Sequence, residues 1–104
     1  MAALPAEGLS PETLSKFRLL QQRFVMGLPA RWTEISAATH QAPLQDALHR
    51  LAGGAGSYGF ERLSQLAHQA EKHLSSGDSA KLADTLALLK SALDSALAGA
   101  PPGS

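Results

Sequence analysis

An all-α fold, an antiparallel up-down-up-down four-helix bundle with the first helix kinked near Gly27–Pro29, is what this sequence predicts. Three observations carry the expectation. Apolar residues recur at alternating spacings of three and four along four separate stretches, the period of one helix face. The joints between those stretches are short and are marked by glycine, proline, serine or aspartate, as in an up-and-down bundle. Alanine and leucine abound while β-branched residues are scarce, and no stretch shows the alternation of a strand.

Residues 1–9 carry no periodicity and are expected to form a flexible N-terminus; the bundle itself is expected over 10–98. Ser10 suits the N-cap of the first helix, Pro11 its first position and Glu12 the positive end of the helix dipole. Leu9 and Leu14 have the spacing of a hydrophobic staple. Leu14, Phe17, Gln21, Phe24, Leu28, Arg31 and Ile35 then form one stripe, five of the seven being apolar. Gly27 and Pro29 interrupt it, because proline removes a hydrogen bond and disfavours helix just before itself. The stripe keeps its phase across the interruption, which predicts one kinked helix reaching about Thr39, with Trp32 at the edge of the core.

His40-Gln41-Ala42-Pro43 reads as a turn, and the second helix is expected from about Pro43 to Ser57. On a helical wheel at about 100° per residue, Leu44, Ala47, Leu48, Leu51, Ala55 and Tyr58 gather opposite His49. Gln45, Ala52, Gly53 and Gly56 fall close to His49. The helix would therefore aim its apolar side at a core and its histidine at solvent. Glycine inside a helix costs roughly 1 kcal/mol relative to alanine, and this helix carries Gly53, Gly54 and Gly56. Clearance for another protein surface descending on the imidazole is one reason to accept that cost; a plain loop is the bland alternative. Gly54 to Gly59 also spells G-x-G-x-x-G, but helical periodicity precedes it where a dinucleotide-binding fold needs a strand, and no Gly-Lys-Ser/Thr of a P-loop follows.

Tyr58-Gly59 marks a tight connection to the third helix, which carries Phe60, Leu63, Leu66, Ala67, Ala70 and Leu74 on one side and Glu61, Ser64, Gln65, His68 and Lys72 on the other. Gly77 suits its C-terminal cap and Asp78 the next N-cap. The fourth helix has the cleanest stripe: Leu82, Leu86, Leu89, Leu93 and Leu97. Residues 99–104, rich in glycine and proline, read as a flexible tail.

Composition narrows the function. A chain of 104 residues makes one domain with a modest core. Zero formal net charge disfavours a nucleic acid partner. There is no cysteine for a disulfide framework or thiolate metal site, and no apolar run long enough for a membrane. With no signal-peptide layout at the start, a cytoplasmic location is expected, as a monomer. His68 and His73 are five apart, which is wrong for a metal pair on one helix face; His68 reads as a surface residue and His73 as packing. No Ser-His-Asp or paired-carboxylate layout emerges.

The run from His49 resembles the signature of histidine phosphotransfer (HPt) domains of two-component phosphorelays. That signature has a phosphorylated histidine, an apolar residue two on, lysine three on, glycine four on, a small residue six on and glycine ten on. Here His49, Leu51, Gly53, Ala55 and Gly59 stand in those places, followed by Leu63 and by Glu71 near the end of the next helix. Ala52 departs, standing where the family usually has lysine. The resemblance covers about residues 10 to 98 and implies a four-helix bundle. It implies a phosphorelay carrier, not an enzyme with its own nucleotide or metal site. His49 would take a phosphoryl group from a receiver-domain aspartate and pass it to another receiver. The chain would need no cofactor of its own, since Mg²⁺ is expected on the partner receiver. Response-regulator receiver domains and a hybrid sensor kinase would be the partners. Gln45, Asp46, Arg50, Ala52, Gly53 and Gly56 would form the docking surface. The alternative is a helical interaction module that binds a receiver or other partner without being phosphorylated, a reading favoured by Ala52.

Overall fold

The computed structural model describes residues 10–99, so the expected flexible segment 1–9, its Leu9 staple and all of the tail but Gly99 lie outside it. Five helical segments follow one another: α1 (Pro11–Met26), α2 (Leu28–Ala37), α3 (Gln41–Ser57), α4 (Glu61–Ser75) and α5 (Ser79–Leu97). No strand occurs among the described residues. α1 and α2 are the two halves of one helix bent at Gly27, so the architecture is the expected four-helix bundle. Gly27 keeps a right-handed conformation, with φ −83° and ψ −8°. Its N–H reaches the carbonyls of Arg23 and Phe24 at 3.1 Å, and its own carbonyl accepts from the Arg31 N–H at 3.2 Å. The bend has a local cause: Pro29 offers no N–H and its ring crowds the carbonyl four residues back. The stripe keeps phase through it. Phe24, Leu28 and Ile35 are buried, Leu14, Phe17, Gln21 and Arg31 are half-buried, and Trp32 packs at the core edge.

The caps act as their sequence suggests. Ser10 Oγ accepts from the Thr13 N–H at 3.1 Å, and Asp78 Oδ1 accepts from the Lys81 N–H at 3.0 Å. Gly59 (φ +83°) and Gly77 (φ +75°) each follow a helix C-cap in the left-handed region, which lets the chain double back at little steric cost. Beyond them the Phe60 N–H returns to the Ala55 carbonyl at 2.8 Å and the Asp78 N–H to the His73 carbonyl at 3.0 Å. These bonds close α3 and α4 in the same manner and make both connections short.

Three expectations are corrected. The first helix ends at Ala37 rather than near Thr39, since Ala38 is already extended with ψ 125°. α3 begins at Gln41, so Pro43 sits inside its first turn, where a backbone N–H has no intrahelical partner to lose. Leu97 does not extend the α5 stripe: it is 41% exposed, while Ala96 is buried. Each four-residue step advances a position by about 40° around the helix, and the last step carries Leu97 off the core face.

The core is built from Phe24, Leu28 and Ile35, the α3 residues Leu48, Leu51 and Ala55, the α4 residues Leu63, Leu66 and Ala67, and Leu89 and Leu93 of α5. α3 and α4 pack together and both carry buried alanines, Ala52 and Ala55 on the one and Ala67 and Ala70 on the other, small side chains that permit close helix approach. Ser64 Oγ donates to the Ala52 carbonyl across this contact at 2.9 Å.

Candidate functional site

His49 stands on α3, facing away from Leu48 and Leu51, and its side chain is 74% exposed. Its placement follows from the apolar positions beside it: burying them leaves no other direction for the ring. Its Nδ1 lies 3.1 Å from Oε1 of Glu71 on α4. Glu71 is the reverse of its partner, with a side chain only 12% exposed. Two further side chains meet it. Gln45 Nε2 donates to the same Oε1 at 3.1 Å, and His68 Nδ1 lies 3.2 Å from Oε2. Ser75 Oγ in turn donates to Gln45 Oε1 at 3.3 Å. A carboxylate only accepts, so the proton between His49 and Glu71 belongs to Nδ1. In the neutral ring the lone pair is then on the other nitrogen, Nε2, of a side chain that is largely exposed.

The ground one turn beyond the histidine is bare. A Cβ added at Gly53 would meet nothing within 4 Å. Gly56 is exposed too, although a Cβ there would come within 3.3 Å of Ser64 Oγ. Gly54 has a different reason for being glycine: a Cβ would lie 2.8 Å from a ring carbon of Phe24, which is buried and also carries Arg31 over its face at 5.3 Å. Arg50 is exposed, but its Nη2 donates to Glu34 Oε2 on α2 at 2.9 Å and its Nε to the Asp46 carbonyl at 3.4 Å. Asp46 is exposed beside it.

Of the residues expected around His49, the structure gathers Asp46, Arg50, Gly53 and Gly56 on the exposed face. Gln45 is half-buried and turned inward to Glu71. Ala52 is the correction: it is 1% exposed and does not belong to that face. The wheel placed it near the histidine, but α4 packs against that flank of α3 and covers it, so the buried arc is wider than one apolar stripe. Glu71 was legible only as a residue of the family pattern, and His68 read as a surface residue with no role. Their i, i+3 spacing was the available signal, since it places both on one face of α4. Nothing local in the sequence pairs Glu34 with Arg50.

Among the described residues no three His, Cys, Asp or Glu side chains are arranged to hold a metal. No described helix is long and apolar enough to cross a membrane. No curated protein and no solved structure matches the chain. A family model described as Hpt domain matches residues 18–99.

Proposed function

The chain belongs to the Hpt domain family, and from that premise we propose that His49 carries a phosphoryl group from one receiver domain to another. Hpt domains act with receiver domains in two-component phosphorelays, as carriers rather than as catalysts of turnover. The observation that supports His49 as the carrier is the 3.1 Å bond from its Nδ1 to the nearly buried Glu71, on a ring otherwise open to solvent. The bond leaves Nε2 as the nucleophile. Its lone pair attacks the phosphorus of an aspartyl phosphate, a nitrogen–phosphorus bond forms, and the acyl phosphate P–O bond breaks with its electrons leaving on the receiver's carboxylate. No proton has to move. Nδ1 keeps its hydrogen, the ring becomes cationic, and Glu71 offsets that charge, the role a buried carboxylate plays behind a catalytic histidine elsewhere. Reversal of the same step delivers the group to a second receiver. The receiver supplies Mg²⁺ and the acidic pocket. Gly53 and Gly56 give its surface room, and Arg50 supplies charge. An exposed ion pair such as Arg50–Glu34 is worth about 0–1 kcal/mol, so Arg50 can turn from it towards a partner at small cost.

The test is labelling with a phosphorylated receiver and Mg²⁺. Wild type is expected to take up one acid-labile phosphoryl group, and none from ATP alone. His49→Gln keeps a polar side chain at an exposed site and should alter stability by less than about 0.5 kcal/mol. It should still bind receivers and take up no label. Label that persists in His49→Gln, or that appears on His68, sinks the assignment.

One observation favours a second reading. Ala52 brings no positive charge to the place where the resemblance expects lysine, and its methyl is buried. On that reading the same face binds a receiver without being phosphorylated. Receiver binding with no uptake of label by wild type would establish it.

A further inference from the structure

Gln45 has a position that a docking residue does not need. It lies one turn before His49 on α3, and its amide points into the molecule. We propose that Gln45 is a positioning residue of the phosphotransfer site: it aims Glu71 at His49 and thereby keeps the ring in the form whose Nε2 is free to attack. The inference rests on His49 being the phosphoacceptor, but its first readout does not.

Three donors meet the two oxygens of Glu71. His68, on the same helix as Glu71, takes Oε2 at 3.2 Å, whereas Gln45 and His49, both on α3, share Oε1 at 3.1 Å. His49 and His68 are both largely exposed, so each ring can exchange its bond to Glu71 for one to water. Gln45 is the half-buried donor of the three. Its amide also has one workable orientation. Turned over, it would set its carbonyl oxygen against Glu71 Oε1; as it stands, the nitrogen donates to the carboxylate and the oxygen accepts from Ser75 at 3.3 Å. The chain Ser75–Gln45–Glu71–His49 thus crosses between α3 and α4 and ends on the imidazole. Without the amide, Oε1 keeps a single donor from α3, and that donor is a ring free to turn into water. A ring so released also samples the tautomer with its proton on Nε2, where attack on phosphorus is blocked.

The experiment uses the whole chain and two readouts. The ring ¹⁵N shifts of unphosphorylated His49 report which nitrogen holds the proton. In wild type Nδ1 should show the protonated shift and Nε2 the unprotonated one; in Gln45→Leu the two should move towards each other. Uptake from a phosphorylated receiver should slow by about tenfold at saturating receiver, the lower end of what partners that orient histidines contribute at metal centres. The receiver concentration for half-maximal rate should not change. Ser75→Ala, at an exposed position, should give a smaller shift in the same direction and serves if Gln45→Leu does not fold. Unmoved ring shifts in the folded variants overturn the proposal. So does a loss confined to receiver affinity, which would make Gln45 a docking contact. Ring shifts that move as expected in a protein whose wild type takes up no phosphoryl group would support the positioning and refute the relay reading instead.

Discussion

Gly53 and Gly54 are neighbours on α3 with opposite reasons to lack a side chain. At Gly53 there is open space, so the fold gains nothing from glycine there and forgoes helix propensity. Gly53→Ala should raise stability by roughly 1 kcal/mol. At Gly54 an added methyl meets the buried Phe24 ring, and overpacking of a core usually costs about 1–3 kcal/mol. Gly54→Ala should therefore unfold in less denaturant than Gly53→Ala, by about that difference, since both gain the same propensity. Gly53→Leu should keep the fold yet block a receiver, which phosphoryl uptake measures; uptake at the wild-type rate would refute the clearance argument. The wheel could not separate these two residues by cause, because it gives the direction of a side chain but not what lies there. The same limit hid the burial of Ala52. His49 was legible because its direction is set by its own helix. Glu71 and Gln45 were not legible as its partners, since that pairing depends on how two helices lie together.

Among the elements, α5 shows how sharply a helix divides its faces. Leu88 and Leu89 are adjacent, yet one is 50% exposed and the other fully buried. Leu89→Ala should cost about 2–5 kcal/mol, as buried leucines do. Leu88→Ala should change stability by no more than about 0.5 kcal/mol. Chemical denaturation of the pair tests whether α5 sits in the register described. The N-cap of the same helix is a second check: Asp78→Ala should cost about 1 kcal/mol by freeing the Lys81 N–H. Helix number, order and caps could be read from sequence because spacing and cap chemistry are local. The ends were misplaced by about two residues at Thr39 and at Pro43, the latter because proline is compatible with either a turn or a first helical turn.

At the scale of the molecule, the bent first helix and α5 close a bundle whose chemistry lies elsewhere. The groups joined around His49 come from α3 and α4, which are linked by residues 58–60 alone. Their cross-helix bonds span short stretches of chain: 12 residues from Ala52 to Ser64, 22 from His49 to Glu71 and 26 from Gln45 to Glu71. Closing such loops sacrifices little chain entropy, and contacts near in sequence favour fast folding. This hairpin is then expected to form the folding nucleus, with the bent helix docking later. Leu48→Ala and Leu66→Ala should chiefly slow refolding, whereas Leu28→Ala should chiefly hasten unfolding, as the two arms of a chevron plot would show. A carboxylate that waits on α4 for a histidine on α3 would then meet it during the earliest productive collapse. The imidazole of His49 would acquire its partner before the domain has finished becoming a bundle.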